Sequence, residues 1–271
     1  MRILIPVIVA AATALAAATT ASAQPPPAAS APIEKSHGWS AQAGYEVFSL
    51  RDVSRNIKPP DASPIAWRGS GQAVSGRYEI SALKSAHLFD ATVSRSGGFS
   101  YEAPTASVAA SASDSASRFD LRYEYRRYFL RDIGFDGFDI GLGVQGVGTR
   151  VAFDRHITST LQTATRTSGG GVAGVVSLRL RRWQRFAADA SWGNGAVVSL
   201  RTTEHSANPS GGESFSGGNF LSDLFVRGEV TLTGATRLSV TWRRGFDYYA
   251  SDHFSYSGHR QSLNVGISYA Y

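Results

Sequence analysis

The sequence predicts an all-β chain: an antiparallel up-and-down transmembrane β-barrel of about ten strands, with eight or twelve as the neighbouring solutions. Three observations predict it. Apolar residues recur with period two in one segment after another. The connections between these segments alternate between short and long. The chain has no cysteine, so an exported fold must hold by backbone pairing and packing, and a closed barrel pairs every strand on both edges.

The elements follow in order. Met1-Arg2, an apolar alanine-rich run at 3–20 and the small-residue triplet Ala21-Ser22-Ala23 read as a signal peptide over 1–23, cleaved before Gln24. Residues 24–37 are rich in alanine and proline without apolar periodicity, and read as a flexible periplasmic linker. Residues 38–271 show no further composition shift and are taken as one barrel domain.

Within it, Trp39, Ala41, Ala43, Tyr45 and Val47 share one strand face, followed by Val74, Gly76, Tyr78, Ile80 and Ala82, and then by Phe89, Ala91 and Val93. The clearest strand is 118–129. It sets Phe119, Leu121, Tyr123 and Tyr125 on one face and Arg118, Asp120, Arg122, Glu124 and Arg126 on the other. The next apolar faces begin at Phe138, Val172, Phe186, Leu224 and Leu238. The last carries Leu263, Val265, Ile267, Tyr269 and Tyr271. Each supplies roughly 9–11 residues, the span of a tilted strand across a bilayer. The mean hydropathy of −0.14 fits alternating lipid-facing and lumen-facing residues.

Connections near 51–70, 97–117, 152–170, 202–218 and 250–258 are long and rich in small polar residues. Those near 83–87, 130–137, 181–185 and 233–236 are short. Short periplasmic turns and long external loops are the barrel arrangement, and a soluble sandwich has no reason to sort its loops this way. Residues 154–170 fit either a loop or strand extensions above the membrane.

The final ten residues, SLNVGISYAY, alternate up to a terminal aromatic. They resemble the C-terminal signal that Gram-negative outer-membrane barrel proteins present to the barrel-assembly machinery, although members usually end in Phe and this chain ends in Tyr271. The resemblance implies an outer-membrane location and makes Tyr269 and Tyr271 the assembly signal. It identifies a class, not a subfamily. The net charge of +6 then points to outer-membrane lipids and lipopolysaccharide rather than nucleic acid. The basic-aromatic runs at 125–131 and 179–185 fall at periplasmic turns, where Arg meets lipid phosphate.

GLGVQG at 141–146 matches a dinucleotide-binding pattern but lies inside an alternating strand, so its glycines read as room for close packing in the wall. Asp252, His253 and Ser255 resemble the His-x-Ser pair of the outer-membrane lipid A deacylase family. No Asp or Glu follows Ser255 to complete that site. Ten strands are also shared with the omptin proteases. The candidates here are Asp52, Asp61, Asp114, Asp154, His156, His205, Asp252 and His253, but the Asp-x-Asp of that family is absent. No cofactor or metal is assigned.

The inward parity carries Arg77, Glu79, Asp90, Asp120, Arg122, Glu124, Asp139, Arg179, Asp189, Asp223, Arg227, Glu229 and Arg243. Both signs are interspersed, so the reading is a narrow lumen filled by Arg–carboxylate pairs. Arg244 shares parity with Leu238, Val240 and Trp242. It is expected in the outer-leaflet zone, or turned inward by a bulge at Gly245. The leading function is a structural or surface-contact barrel or a narrow pore. The rival is an outer-membrane enzyme acting at the outer rim.

Overall fold

The pleat of these segments sends alternate side chains to opposite faces, and the structure closes that pattern on itself. The computed structural model describes residues 35–54, 65–97, 99–103, 106–108, 115–130, 137–156, 162–183, 185–205, 213–215, 219–250 and 254–271. Ten long strands form the wall: β1 (Lys35–Ser54), β2 (Ile65–Ala82), β3 (Ser85–Gly97), β4 (Ser115–Leu130), β5 (Phe138–His156), β6 (Gln162–Trp183), β7 (Phe186–His205), β8 (Asn219–Thr233), β9 (Thr236–Ala250) and β10 (Phe254–Ala270). Each pairs antiparallel with its neighbours in the chain, and β10 pairs with β1 to close the barrel.

Following hydrogen-bonded partners once around the wall from Trp39 leads back to β1 at Arg51, a stagger of twelve residues. For ten strands, a spacing of about 4.8 Å and a rise of about 3.3 Å per residue give a tilt of about 40° and a backbone radius of about 10 Å. Side chains from all sides fill an interior of that width.

The outer wall is apolar and exposed: Val74 is 61% exposed and Val144 59%. The inner wall is polar and buried, with Asp223, Asp139 and Glu124 at 0%. This inversion is what a lipid solvent demands. An aromatic girdle lines the turn half of β10 and β1 to β4. His37 stacks on Tyr271 at 5.8 Å, Trp39 lies against Tyr269 at 6.2 Å, and Phe89 bridges Tyr78 and Tyr123.

The turns at this end are tight. Thr233 pairs with Thr236 across Gly234-Ala235. Gly234 takes φ +51°, the positive value a two-residue hairpin requires and glycine supplies without strain. The seam is closed at its last residue: the His37 N–H donates to the Tyr271 carbonyl and the Tyr271 N–H to the His37 carbonyl, both at 2.8 Å. That pairing draws β1 back to Lys35. The composition boundary at residue 37 therefore lies three residues inside the first strand.

The strands also outrun the bilayer. They are 13 to 22 residues long, because several stretches read as loops, and the 154–170 segment read as either loop or strand extension, stay paired. Residues 152–156 and 162–170 belong to β5 and β6, joined as far as His156 opposite Gln162. Phe99–Ala103 pairs with β2, Ala106–Val108 pairs with Phe99–Ala103, and Glu213–Phe215 pairs with β7. Residues 1–34 include the predicted signal peptide and most of the predicted linker, and lie outside the described residues.

Candidate functional site

The inward parity of β4 places Arg118, Asp120, Arg122, Glu124 and Arg126 in one column facing the lumen. Facing strands supply the complementary charges. Arg118 pairs with Asp120 at 2.9 Å, and Arg260 on β10 reaches Asp120 at 3.5 Å and Asp223 at 3.4 Å. Asp223 is the hub. Arg243 Nε donates to it at 2.8 Å, Arg122 pairs with it at 3.2 Å and Gln145 Nε2 donates at 3.2 Å. Arg122 and Arg126 share Glu124, and Arg126 continues to Asp189. Arg77 meets Asp189 at 3.1 Å and Asp90 at 3.7 Å. One unbroken chain of ion pairs thus runs from Arg118 to Asp90, crossing the lumen several times.

Aromatic faces take part. The guanidinium groups of Arg77 and Arg122 lie 4.6 and 5.2 Å from the ring centroid of Phe225. Two smaller groups lie nearer the turns. Arg227 and Arg237 hold Glu229 at 2.6 and 2.9 Å, and Ser268 Oγ donates to it at 2.9 Å. Arg179 pairs with Asp139 at 3.1 Å and lies 3.9 Å over the Tyr128 ring.

The two ends of the lumen differ. Toward the loops, Phe48 fills the space over Gly69, where an added Cβ would meet its ring at 2.6 Å, and Ala116 and Val151 are buried nearby. Toward the turns, a vestibule of about 620 Å³ opens, lined by Arg77, Asp189, Arg227, Glu229 and Arg179 among others. Between them, the interior void beside Gln42, Arg77 and Arg243 measures about 30 Å³, room for about two waters.

The lumen residues singled out in the sequence divide between these groups: most join the long chain, Glu79 lies 3.9 Å from Arg77, and Asp139, Arg179, Arg227 and Glu229 form the two smaller groups. The wider set also contains four arginines outside that list: Arg118, Arg126, Arg237 and Arg260. Arg126 belongs to the basic run assigned to lipid phosphate, yet it is 1% exposed and paired inward, and only Arg127 of that pair faces outward. Arg179 opens the other such run, but its parity already points inward and it pairs inside. Arg260 lies between the 250–258 connection and the apolar face that begins at Leu263; carrying the parity of Leu263 back three residues points it inward. Arg237 completes the Glu229 group.

The glycines of 141–146 divide. A Cβ on Gly143 would overlap the Tyr125 carbonyl, so close packing explains it, whereas one on Gly146 would meet nothing within 4 Å. Arg244 points outward and is exposed, with uninterrupted pairing to Leu224 and Gln261, so no bulge forms at Gly245.

Asp61, Asp114, Asp252 and His253 lie outside the described residues, as do the side chains of Asp52, Asp154, His156, His205 and Ser255. Among the described residues, no cluster of three or more His, Cys, Asp or Glu is placed to hold a metal. The arrangement provides fixed, mutually neutralised charge rather than a nucleophile beside a base.

Fold and lumen together define a ten-stranded barrel of the bacterial outer-membrane type. The chain is similar in structure to the outer membrane protease OmpT of Escherichia coli, with a TM-score of 0.68 at 8% identity, covering 89% of this chain and 98% of that one. It also aligns with the β domain of the Bordetella autotransporter BrkA (TM-score 0.38, 10% identity, 86% of this chain and 100% of that one). A third is the translocator domain of the autotransporter NalP from Neisseria meningitidis (TM-score 0.36, 11% identity, 85% and 88%). No family model and no curated protein sequence matches the chain.

Proposed function

We propose that the protein is an integral outer-membrane β-barrel of a Gram-negative cell, exported by the segment 1–23, whose lumen is closed and whose role is structural or surface contact. The observation that carries this reading is the chain of ion pairs from Arg118 to Asp90, with a void of only about 30 Å³ beside it. Charges in a narrow low-dielectric space are tolerated when paired, and pairing across strands ties the walls together. The seam bonds of Tyr271 support a role for the C-terminal aromatic in assembly. An enzyme of the lipid A deacylase or omptin kind gains less support, since no carboxylate follows Ser255 and no Asp-x-Asp occurs.

Single-channel recording on refolded protein in planar bilayers tests the reading. The expected trace shows no steady conductance at neutral pH. Large, stable open-channel currents would overturn the closed barrel and make it a porin.

A further inference from the structure

Two features of the outer wall coincide on β2–β6. The first is electrical. Every carboxylate whose side chain is described lies on the inward parity, whereas Arg95, Arg150 and Arg244 point outward with no ion pair or hydrogen bond among the described residues. Arg95 and Arg150 sit toward the loop ends of β3 and β5, with only β4 between them. Arg95 faces Ser117 and Arg150 faces Phe119, which puts their Cα atoms about 12 Å apart by strand geometry. Gln72 lies opposite Arg95 and Ser168 opposite Arg150 on the same face.

The second feature is steric. Turnward of this cationic pair runs an apolar groove of about 850 Å³, with Gly76, Ala91, Gly146 and Gly148 along its floor and aromatic rings, Phe89 and Tyr123 among them, on its wall. A Cβ on Gly146 or Gly148 would meet no atom within 4 Å. Barrel packing does not require glycine at either position, and the groove exists because these side chains are missing.

We propose that the β2–β6 face seats one phosphorylated, multiply acylated glycolipid of the outer leaflet. Arg95 and Arg150 hold its phosphate, and an acyl chain lies in the groove. The proposal rests on the outer-membrane placement above. Guanidinium groups bind phosphate through paired, charge-assisted hydrogen bonds. A second copy of the chain is a poor occupant, because its cation-only wall would set arginine against arginine.

Native mass spectrometry of the full mature chain in detergent micelles tests it, with diphosphoryl lipid A as probe and dephosphorylated lipid A and phosphatidylglycerol as comparisons. Wild type is expected to retain one diphosphoryl lipid A, about tenfold better than either comparison. Arg95→Gln with Arg150→Gln should lose about that tenfold preference. Gly146→Val with Gly148→Val should also weaken retention by filling the groove. Gly228→Val, whose Cβ likewise meets nothing and which faces outward on β8, should leave it unchanged. Heat-modifiable migration of each variant verifies folding. Unchanged retention in either double variant, or equal retention of the dephosphorylated probe, overturns the proposal. Cell fractionation reads the membrane placement separately, so the two failures are distinguishable.

Discussion

Arg243 and Arg244 are neighbours in the chain and occupy opposite solvents. Arg243 faces the lumen, is 8% exposed and donates to Asp223 at 2.8 Å. Arg244 faces the outer wall, is exposed and has no partner among the described residues. The same division holds for the two walls as a whole. Inside, cations and carboxylates are mixed and paired; outside, the described charges are cations alone. The interior therefore selects for pairing and is indifferent to sign at any one position. The exterior selects for sign, because what neutralises it must come from the surroundings.

The comparison breaks if a lumen charge is dispensable. Asp223 is the position most exposed to that test, because Arg122, Arg243 and Arg260 all converge on it. Asp223→Ala leaves three buried cations sharing the remaining acids, and should destabilise the barrel by about 3–5 kcal/mol or prevent its folding. Asp223→Asn keeps the shape and one acceptor and should be milder. Urea titration of protein refolded in lipid vesicles measures both. A loss under about 1 kcal/mol for Asp223→Ala would mean that the interior charges are separately hydrated.

Phe225 sharpens the same contrast with a smaller effect. It is the apolar member of the lumen that touches two guanidinium groups. Phe225→Leu keeps most of the apolar volume and removes the ring face, so about 1–3 kcal/mol of stability should go. If Phe225 were only a spacer, the loss would match that of an ordinary core swap and would not change when Arg77→Gln is added. A double-mutant cycle with Arg77 reads the difference.

Much of this was legible in the sequence, because period two assigns each strand residue to a wall. The column Arg118–Arg126 and the inward Asp223, Arg227 and Glu229 follow from parity alone. Pairing partners did not follow. They depend on the stagger of twelve residues, which brings Arg260 to Asp120 across the lumen. Composition does not decide the strand ends. The Thr- and Gly-rich run at 162–170 fits either a loop or a strand extension by composition, and backbone pairing to β5 makes it strand. Arg126 sits in a basic run that reads as interfacial, although its parity matches that of Glu124. The rim candidates around His253 fall where the structure describes no side chains, so their reading rests on sequence.

Arg244→Leu carries the smallest expected effect and fixes the sign of the outer-wall term. Arg244 lies eight residues up β9 from Thr236, which pairs with Tyr269 in the aromatic girdle. At a tilt of about 40°, each residue climbs about 2.5 Å, so Arg244 stands about 20 Å above that girdle. The apolar band of such barrels is about 25 Å tall, which puts the residue in its outer part. An outward arginine costs about 2–4 kcal/mol at the midplane but about 0–1 near an interface. In zwitterionic vesicles, where no anionic headgroup competes, Arg244→Leu should therefore raise the unfolding free energy by no more than about 1 kcal/mol. The change is opposite in sign to that of Asp223→Ala under the same conditions. A gain of about 2–4 kcal/mol would instead place the guanidinium at the bilayer centre. A clear loss would show that Arg244 has a partner on the protein itself, and the two arginine populations would no longer be distinct.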